Sequence, residues 1–236
     1  GLYVRLKLTE APIFIAAFNK SKPKALPMME VIVTHFKPFF LGMSICIAGY
    51  VLFYIMIAFS QIYAKSAPTV SEAGYAMGLG FSPQIFTALL MPSAVSLAIT
   101  ITISGKYIDK VGRRIWLIWT TVGVALFGLV LPYFLENGTT LSLFWFLIIG
   151  MGLIGMGYGP LASFLPELFP THARYSGASL TYNIAGLFGA SVAAIIALPL
   201  NANYGLKGVG IYLTLNAVLS LIGLWFITET RDRQLL

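Results

Sequence analysis

The sequence predicts an all-α membrane protein with six transmembrane helices. Three observations predict it: a composition too apolar for water, six long uncharged runs, and an alternating charge in the loops between them. Of 236 residues, 58% are hydrophobic and 10% charged, with a mean hydropathy of +0.86. Soluble domains carry about 25% charged residues. So little polar surface cannot coat a water-soluble globule, so the apolar surface faces the bilayer.

A bilayer core about 30 Å thick needs roughly 20 apolar residues in a helix. Six runs meet this: Phe39–Ile62, Pro83–Ile103, Ile115–Leu135, Leu141–Ala162, Ala178–Leu200 and Val209–Ile227. None contains Asp, Glu, Lys or Arg. Pro160, Pro166 and Pro170 blur the border between the fourth and fifth. The 23 glycines fit membrane helices that pack closely.

The charges set the expected orientation. Cytoplasmic loops are rich in Lys and Arg. Arg5, Lys7, Lys20, Lys22, Lys24 and Lys37 precede the first run. Lys106, Lys110, Arg113 and Arg114 follow the second, Arg174 follows the fourth, and Arg231 and Arg233 follow the last. Only Lys65 and Lys207 fall on the other side, balanced by Glu72 and Glu136. The net charge of +7 is therefore cytoplasmic, and both termini are expected inside a plasma membrane. Topology accounts for the basic residues without a nucleic-acid partner.

Residues 19–27 read as a basic linker, and 28–37 can form a short surface helix leading into the first run. Residues 39–227 form the bundle and 228–236 a cytoplasmic tail. The chain opens on Gly1, not Met, with no signal-peptide pattern, so an upstream segment is expected. Asn137-Gly138-Thr139 matches a glycosylation sequon, but an Asn-Gly turn suits so short a connection. One cysteine, Cys46, and two histidines offer neither a disulfide nor a metal set, and no cofactor is expected.

The most specific motif is the loop Gly105-Lys106-Tyr107-Ile108-Asp109-Lys110-Val111-Gly112-Arg113-Arg114. Asp109 and Arg113, four apart, can pair if the turn is helical. Gly105 allows a neighbouring helix to approach, and Gly112 permits the chain to reverse. The pattern resembles the signature loop of the major facilitator superfamily, Gly-x-x-x-Asp-Arg/Lys-x-Gly-Arg-Arg/Lys. That resemblance implies that Asp109 and Arg113 latch the cytoplasmic side and part when it opens.

A second segment runs from Pro166-Glu167-Leu168-Phe169-Pro170 to Arg174-Tyr175-Ser176-Gly177-Ala178-Ser179. Glu167 and Arg174 are its only charges, available as partners for Arg113 or Arg114 and for Asp109. It resembles the metabolite:proton symporters of that superfamily, which carry shikimate, α-ketoglutarate, proline or betaine. The opening Gly1-Leu2-Tyr3-Val4-Arg5 looks like their central loop, and Glu229-Thr230-Arg231 like their C-terminus. Thr228 stands where related sugar porters often have Pro. The resemblance implies the C-terminal half, a 3+3 repeat, of such a fold, with an N-terminal six-helix half missing.

Polar faces mark candidate wall residues. Tyr50, Tyr54 and Gln61 fall within about 40° at roughly 100° per residue, with Met43 and Cys46 adjoining. Ser179, Asn183, Gly186 and Ala190 form a stripe bordered by Tyr182. The resemblance places these helices on the central cavity and so Tyr50, Tyr54, Tyr182 and Asn183 in the substrate path. The same groups can instead bond neighbouring helices. Ser93, Ser96, Thr100 and Ser104 read as a packing stripe. Tyr212, Asn216 and Ser220 read as structural. Gly150, Gly152, Gly155, Gly157 and Gly159 suit either a moving helix or tight packing. His35 and His172 lie at the membrane surface.

The expected function is half of a secondary transporter for a small organic acid or zwitterion, with alternating access and proton symport. Proton coupling needs a buried ionisable group. The six runs hold none, so the coupling carboxylate is expected in the other half. An intramembrane serine protease would need Ser and His deep in the membrane. Both histidines are peripheral, and no enzyme activity is expected. A non-transporting six-span paralogue that binds a partner remains the alternative.

Overall fold

The computed structural model describes residues 27–229. The central-loop-like opening, the basic linker and the tail from Thr230 lie outside the described residues. Helix α1 (Pro27–Thr34) leads into α2 (Phe36–Tyr54), which continues through a π turn at Ile55–Phe59 into α3 (Ser60–Lys65). Then come α4 (Pro83–Val111), α5 (Arg113–Glu136) and α6 (Thr140–Glu167). Helix α7 (Arg174–Gly186) passes through a second π turn at Leu187–Ser191 into α8 (Val192–Phe226). Among the described residues there is no strand, only an isolated bridge between Val70 and Ala76.

Local chemistry fixes where these helices begin. Ser82 accepts a hydrogen bond from the Ile85 amide (3.3 Å), and Pro83 fills the first helical position of α4, where no amide is needed. Thr139 accepts from the Ser142 amide (3.2 Å) at the start of α6. Between α4 and α5, Gly112 adopts φ 101°, ψ 138°, a conformation side chains resist.

Five helical runs are long and apolar enough to cross a membrane. The last, Arg174–Phe226, has 53 residues. A straight helix of that length would span about 80 Å, far more than one bilayer. It breaks at Gly205, where φ is 68° and ψ −171°. Its two ends sit at the same end of the bundle as the α4–α5 turn, so the run crosses twice, and six crossing segments result.

The connections sort to two ends. At one end lie Arg113, Glu167, Arg174 and Glu229, with His35 and His172 rings 6.2 Å apart. At the other, the loop over residues 66–82 folds against the Gly205 break. Ser71 donates to the Ala202 carbonyl (2.7 Å), and Asn201 donates to the Ala76 carbonyl (3.1 Å).

Helix α4 packs on α6, α5 on the second part of α8, and α2 on α7 and α8. Glycines set the closest approaches. A Cβ at Gly155 would lie 2.6 Å from the Leu97 carbonyl, and one at Gly128 would lie 2.8 Å from the Gly210 carbonyl. The α4 hydroxyl stripe faces α6: Ser96 donates to the Ile148 carbonyl (3.0 Å), and Ser93 and Ser104 are buried. Ser220 donates to the Ser44 carbonyl (2.6 Å) and accepts from the Ala48 amide (3.2 Å), stitching α8 to α2.

Gly105 meets no neighbouring helix among the described residues. A Cβ there would meet nothing within 4 Å, and the residue is exposed. The small residues that let α4 and α6 touch are Gly155 and Gly159, on the opposite helix.

Candidate functional site: a charged turn and a tyrosine-rimmed cavity

The α4–α5 turn gathers charge around two helix ends. Arg113, the first residue of α5, binds Glu167 at the end of α6, and both side chains are largely buried. It also pairs with Asp109 at 3.6 Å, although that carboxylate is 75% exposed. The Asp109–Arg113 pair spans the break at Gly112 and does not lie on one continuous helix. Arg113 thus takes both acids. The pair with Glu167 is incomplete, because Arg113 Nε and Glu167 Oε2 are buried without hydrogen-bond partners.

Arg114 turns the other way. Its Nε donates to the Leu224 carbonyl (2.8 Å) and its Nη2 to the Trp225 carbonyl (3.2 Å), satisfying carbonyls at the end of α8. Glu229 then returns the contact. Its carboxylate accepts from the backbone amides of Arg113 (3.1 Å) and Arg114 (3.0 Å). A carboxylate there satisfies free amides and complements the positive end of the helix. A Cβ on Gly112 would stand 2.9 Å from Glu229 Oε2, so glycine makes room for the cap as well as the turn.

Glu229 is absent from the site residues read from sequence. Its signal was indirect: α5 has no acidic residue in its first turn and no side-chain cap of its own.

Arg174 does not join this cluster. It makes no ion pair with Asp109 among the described residues. It lines a cavity of about 680 Å³ with Tyr158, Thr171, Ser179 and Tyr182, and its Nε is buried without a partner.

A second cavity, of about 300 Å³, lies among α2, α4, α5 and α6 and shares Tyr158, Leu161 and Tyr182 with the first. Tyr50 lines it, and its ring centroid is 4.9 Å from that of Tyr182, at 48°. The π turn in α7–α8 brings Gly189 against Tyr50, where a Cβ would sit 2.6 Å from the tyrosine Cβ.

Tyr54 and Asn183 line neither cavity. Tyr54 donates to the Ala194 carbonyl (3.4 Å), and Asn183 donates to its own helix at the Ser179 carbonyl (2.7 Å). Gln61 is exposed and lines neither. The π turn at Ile55–Phe59 separates it from Tyr54, and one extra residue shifts helical phase by about 100°. Tyr158 was missed because it stands alone in a glycine-rich helix with no polar neighbour at helical spacing.

The family model described as "Sugar (and other) transporter" matches residues 73–236, more than half of the chain. The chain belongs to this family of the major facilitator superfamily. A Haemophilus influenzae protein provisionally described as a metabolite transport protein is 89% identical over 235 residues, covering 100% of this chain and 53% of its own length. The inner membrane metabolite transport protein YhjE of Escherichia coli is 38% identical, covering 100% of this chain and 52% of its own. The proline/betaine transporter of Salmonella typhimurium is 26% identical, covering 100% and 47%. The chain spans about half the length of these curated relatives. No solved structure gives a significant match. The segment that resembles the superfamily's signature loop forms the turn that Arg113, Glu167 and Glu229 hold together.

Proposed function

We propose that this chain supplies the C-terminal six-helix half of a secondary transporter for a small organic acid or zwitterionic metabolite. The half rocks against a second half to give alternating access, with proton symport. The observation that carries this reading is the grip of Arg113 on Glu167 and Asp109, which ties the ends of α4 and α6 to the start of α5. Buried charges whose remaining polar atoms lack partners are held less securely than fully satisfied ones. Such a contact suits a latch that must part in each cycle.

The basic end faces the cytoplasm by the positive-inside rule, which puts both termini inside. The face of α4 supports a second half. Only 11% of its most apolar window is buried, against 56% for Phe36–Lys65. Gly105 lies open on that helix. With no acid in the six apolar runs, the coupling carboxylate belongs to the other half. The names of the Haemophilus, Escherichia and Salmonella relatives agree with metabolite transport.

The test is flux. The protein expressed from its complete gene is reconstituted into sealed vesicles and offered labelled proline, glycine betaine and a panel of carboxylic acids. Accumulation driven by an imposed proton gradient is the expected result. A folded protein that accumulates none of them overturns the reading.

A further inference from the structure

Pro160 lies inside α6 and has no amide to give to the Met156 carbonyl four residues back. Within a membrane, a carbonyl freed in this way must find another donor. Trp116 of α5 supplies it: the indole Nε1 donates to the Met156 oxygen at 2.9 Å. Pro92, Pro132, Pro166 and Pro199 also lie inside helices. Among the described residues, only the gap left by Pro160 is filled by a side chain from another helix.

The two sides of Pro160 differ. Before it, glycines press α6 onto α4. A Cβ at Gly159 would run into Ser104, and one at Gly155 would lie 2.6 Å from the Leu97 carbonyl. That stretch has little room to shift. After Pro160, Leu161, Ala162, Leu165 and Pro166 line the larger cavity, and Glu167 ends the helix in the grip of Arg113. Helices bend at prolines. A bend at this one moves the cavity wall and the latch carboxylate together. The glycine run packs and the segment beyond the proline swings.

Both ties on α6 come from the first turn of α5. Arg113 and Trp116 are three residues apart and so share a face. Arg113 holds α6 beyond the proline, and Trp116 holds the carbonyl before it. An indole has a single donor, so one bond satisfies the gap and one bond can release it.

The geometry points to Trp116 as the positioning residue of a hinge in α6: its indole N–H holds the open Met156 carbonyl and so fixes the bend at Pro160. That bend sets where the wall from Leu161 to Pro166 stands and how Glu167 meets Arg113. The part this hinge plays in alternating access rests on the transport reading.

The experiment measures the distance between nitroxide labels at Lys106, on α4, and Pro170, just beyond α6, in the purified full-length protein. Glu167 lies about 10 Å along the helix from Pro160, so a 20° change of bend moves that end by about 3 Å. Trp116→Phe keeps an aromatic ring and removes the donor, and the distance should shift or split by about 3 Å or more. Pro160→Ala restores the amide, so Met156 no longer needs the indole. Adding Trp116→Phe to Pro160→Ala should therefore move the distance no further. A shift of equal size in both backgrounds would mean that Trp116 acts by packing, and no shift in either would mean that its bond does not set the bend; each overturns the hinge. Should Trp116→Phe fail to fold, rescue by Pro160→Ala supports the hinge and failure in both backgrounds overturns it. The measurement needs no substrate, so the hinge can fail while the vesicle panel still finds transport, and the reverse.

Discussion

The carboxylate of Glu167, at the end of α6, is held by the guanidinium of Arg113 at the start of α5, with the two side chains only 14% and 17% exposed. Removing one partner of such a pair strands the other charge. Arg113→Met or Glu167→Gln should each lower stability by about 3 kcal/mol. The double change Arg113→Met with Glu167→Met should lose less than either single change, because no buried charge is left. Thermal unfolding of the detergent-solubilised protein measures this. Equal or additive losses in the double variant would show that the charges are not coupled.

The sequence narrowed this pair to Glu167 with Arg113 or Arg114 and did not choose between the two arginines. Glu167 and Arg174 are the only charges between Pro166 and Ser179, and the signature loop offered the matching partners. The crossings were legible because bilayer thickness fixes the length of an apolar run. The rest depended on packing. The π turns have no sequence period. The one in α7–α8 accompanies a close approach between Gly189 and Tyr50, and the one after Tyr54 puts Gln61 out of phase. The sequence marked Gly105 as open to a neighbouring helix, and within this half the close approach of α4 to α6 is made at Gly155, because a pattern names a glycine without saying what stands opposite.

Those two glycines make a paired prediction. Alanine at Gly105 has open space within this half, and replacing glycine in a helix there stabilises by about 0.5 kcal/mol where no second half presses on it. Alanine at Gly155 would press on the Leu97 carbonyl and the Thr100 side chain, forcing α4 and α6 apart. Overpacking of this kind costs about 1–3 kcal/mol. Unfolding midpoints of Gly105→Ala and Gly155→Ala should therefore move in opposite directions. A matching fall in both would mean that the exposed side of α4 is covered in the intact protein.

Glu229 tests the cap on α5. Its carboxylate meets two backbone amides, so Glu229→Ala should lower stability by about 1 kcal/mol. Glu229→Gln keeps an acceptor oxygen but loses the charge, and should fall between wild type and alanine. Amide hydrogen exchange gives the local readout: protection at Arg113 and Arg114 should drop in the alanine variant. Unchanged protection there would remove Glu229 from the turn.

Gly205 carries the reversal at the opposite end of the bundle, and two separate obstacles forbid a side chain there. Its φ of 68° with ψ of −171° is open only to glycine, and a Cβ would lie 2.6 Å from the Tyr75 ring. Gly205→Ala should therefore cost about 2 kcal/mol or more. Adding Tyr75→Ala removes the ring but leaves the backbone conformation, so the double variant should recover only part of the loss. Full recovery would show that the ring alone was the obstacle and that the backbone at the break relaxes freely. Chemical unfolding of the two variants against the Tyr75→Ala control decides between these outcomes.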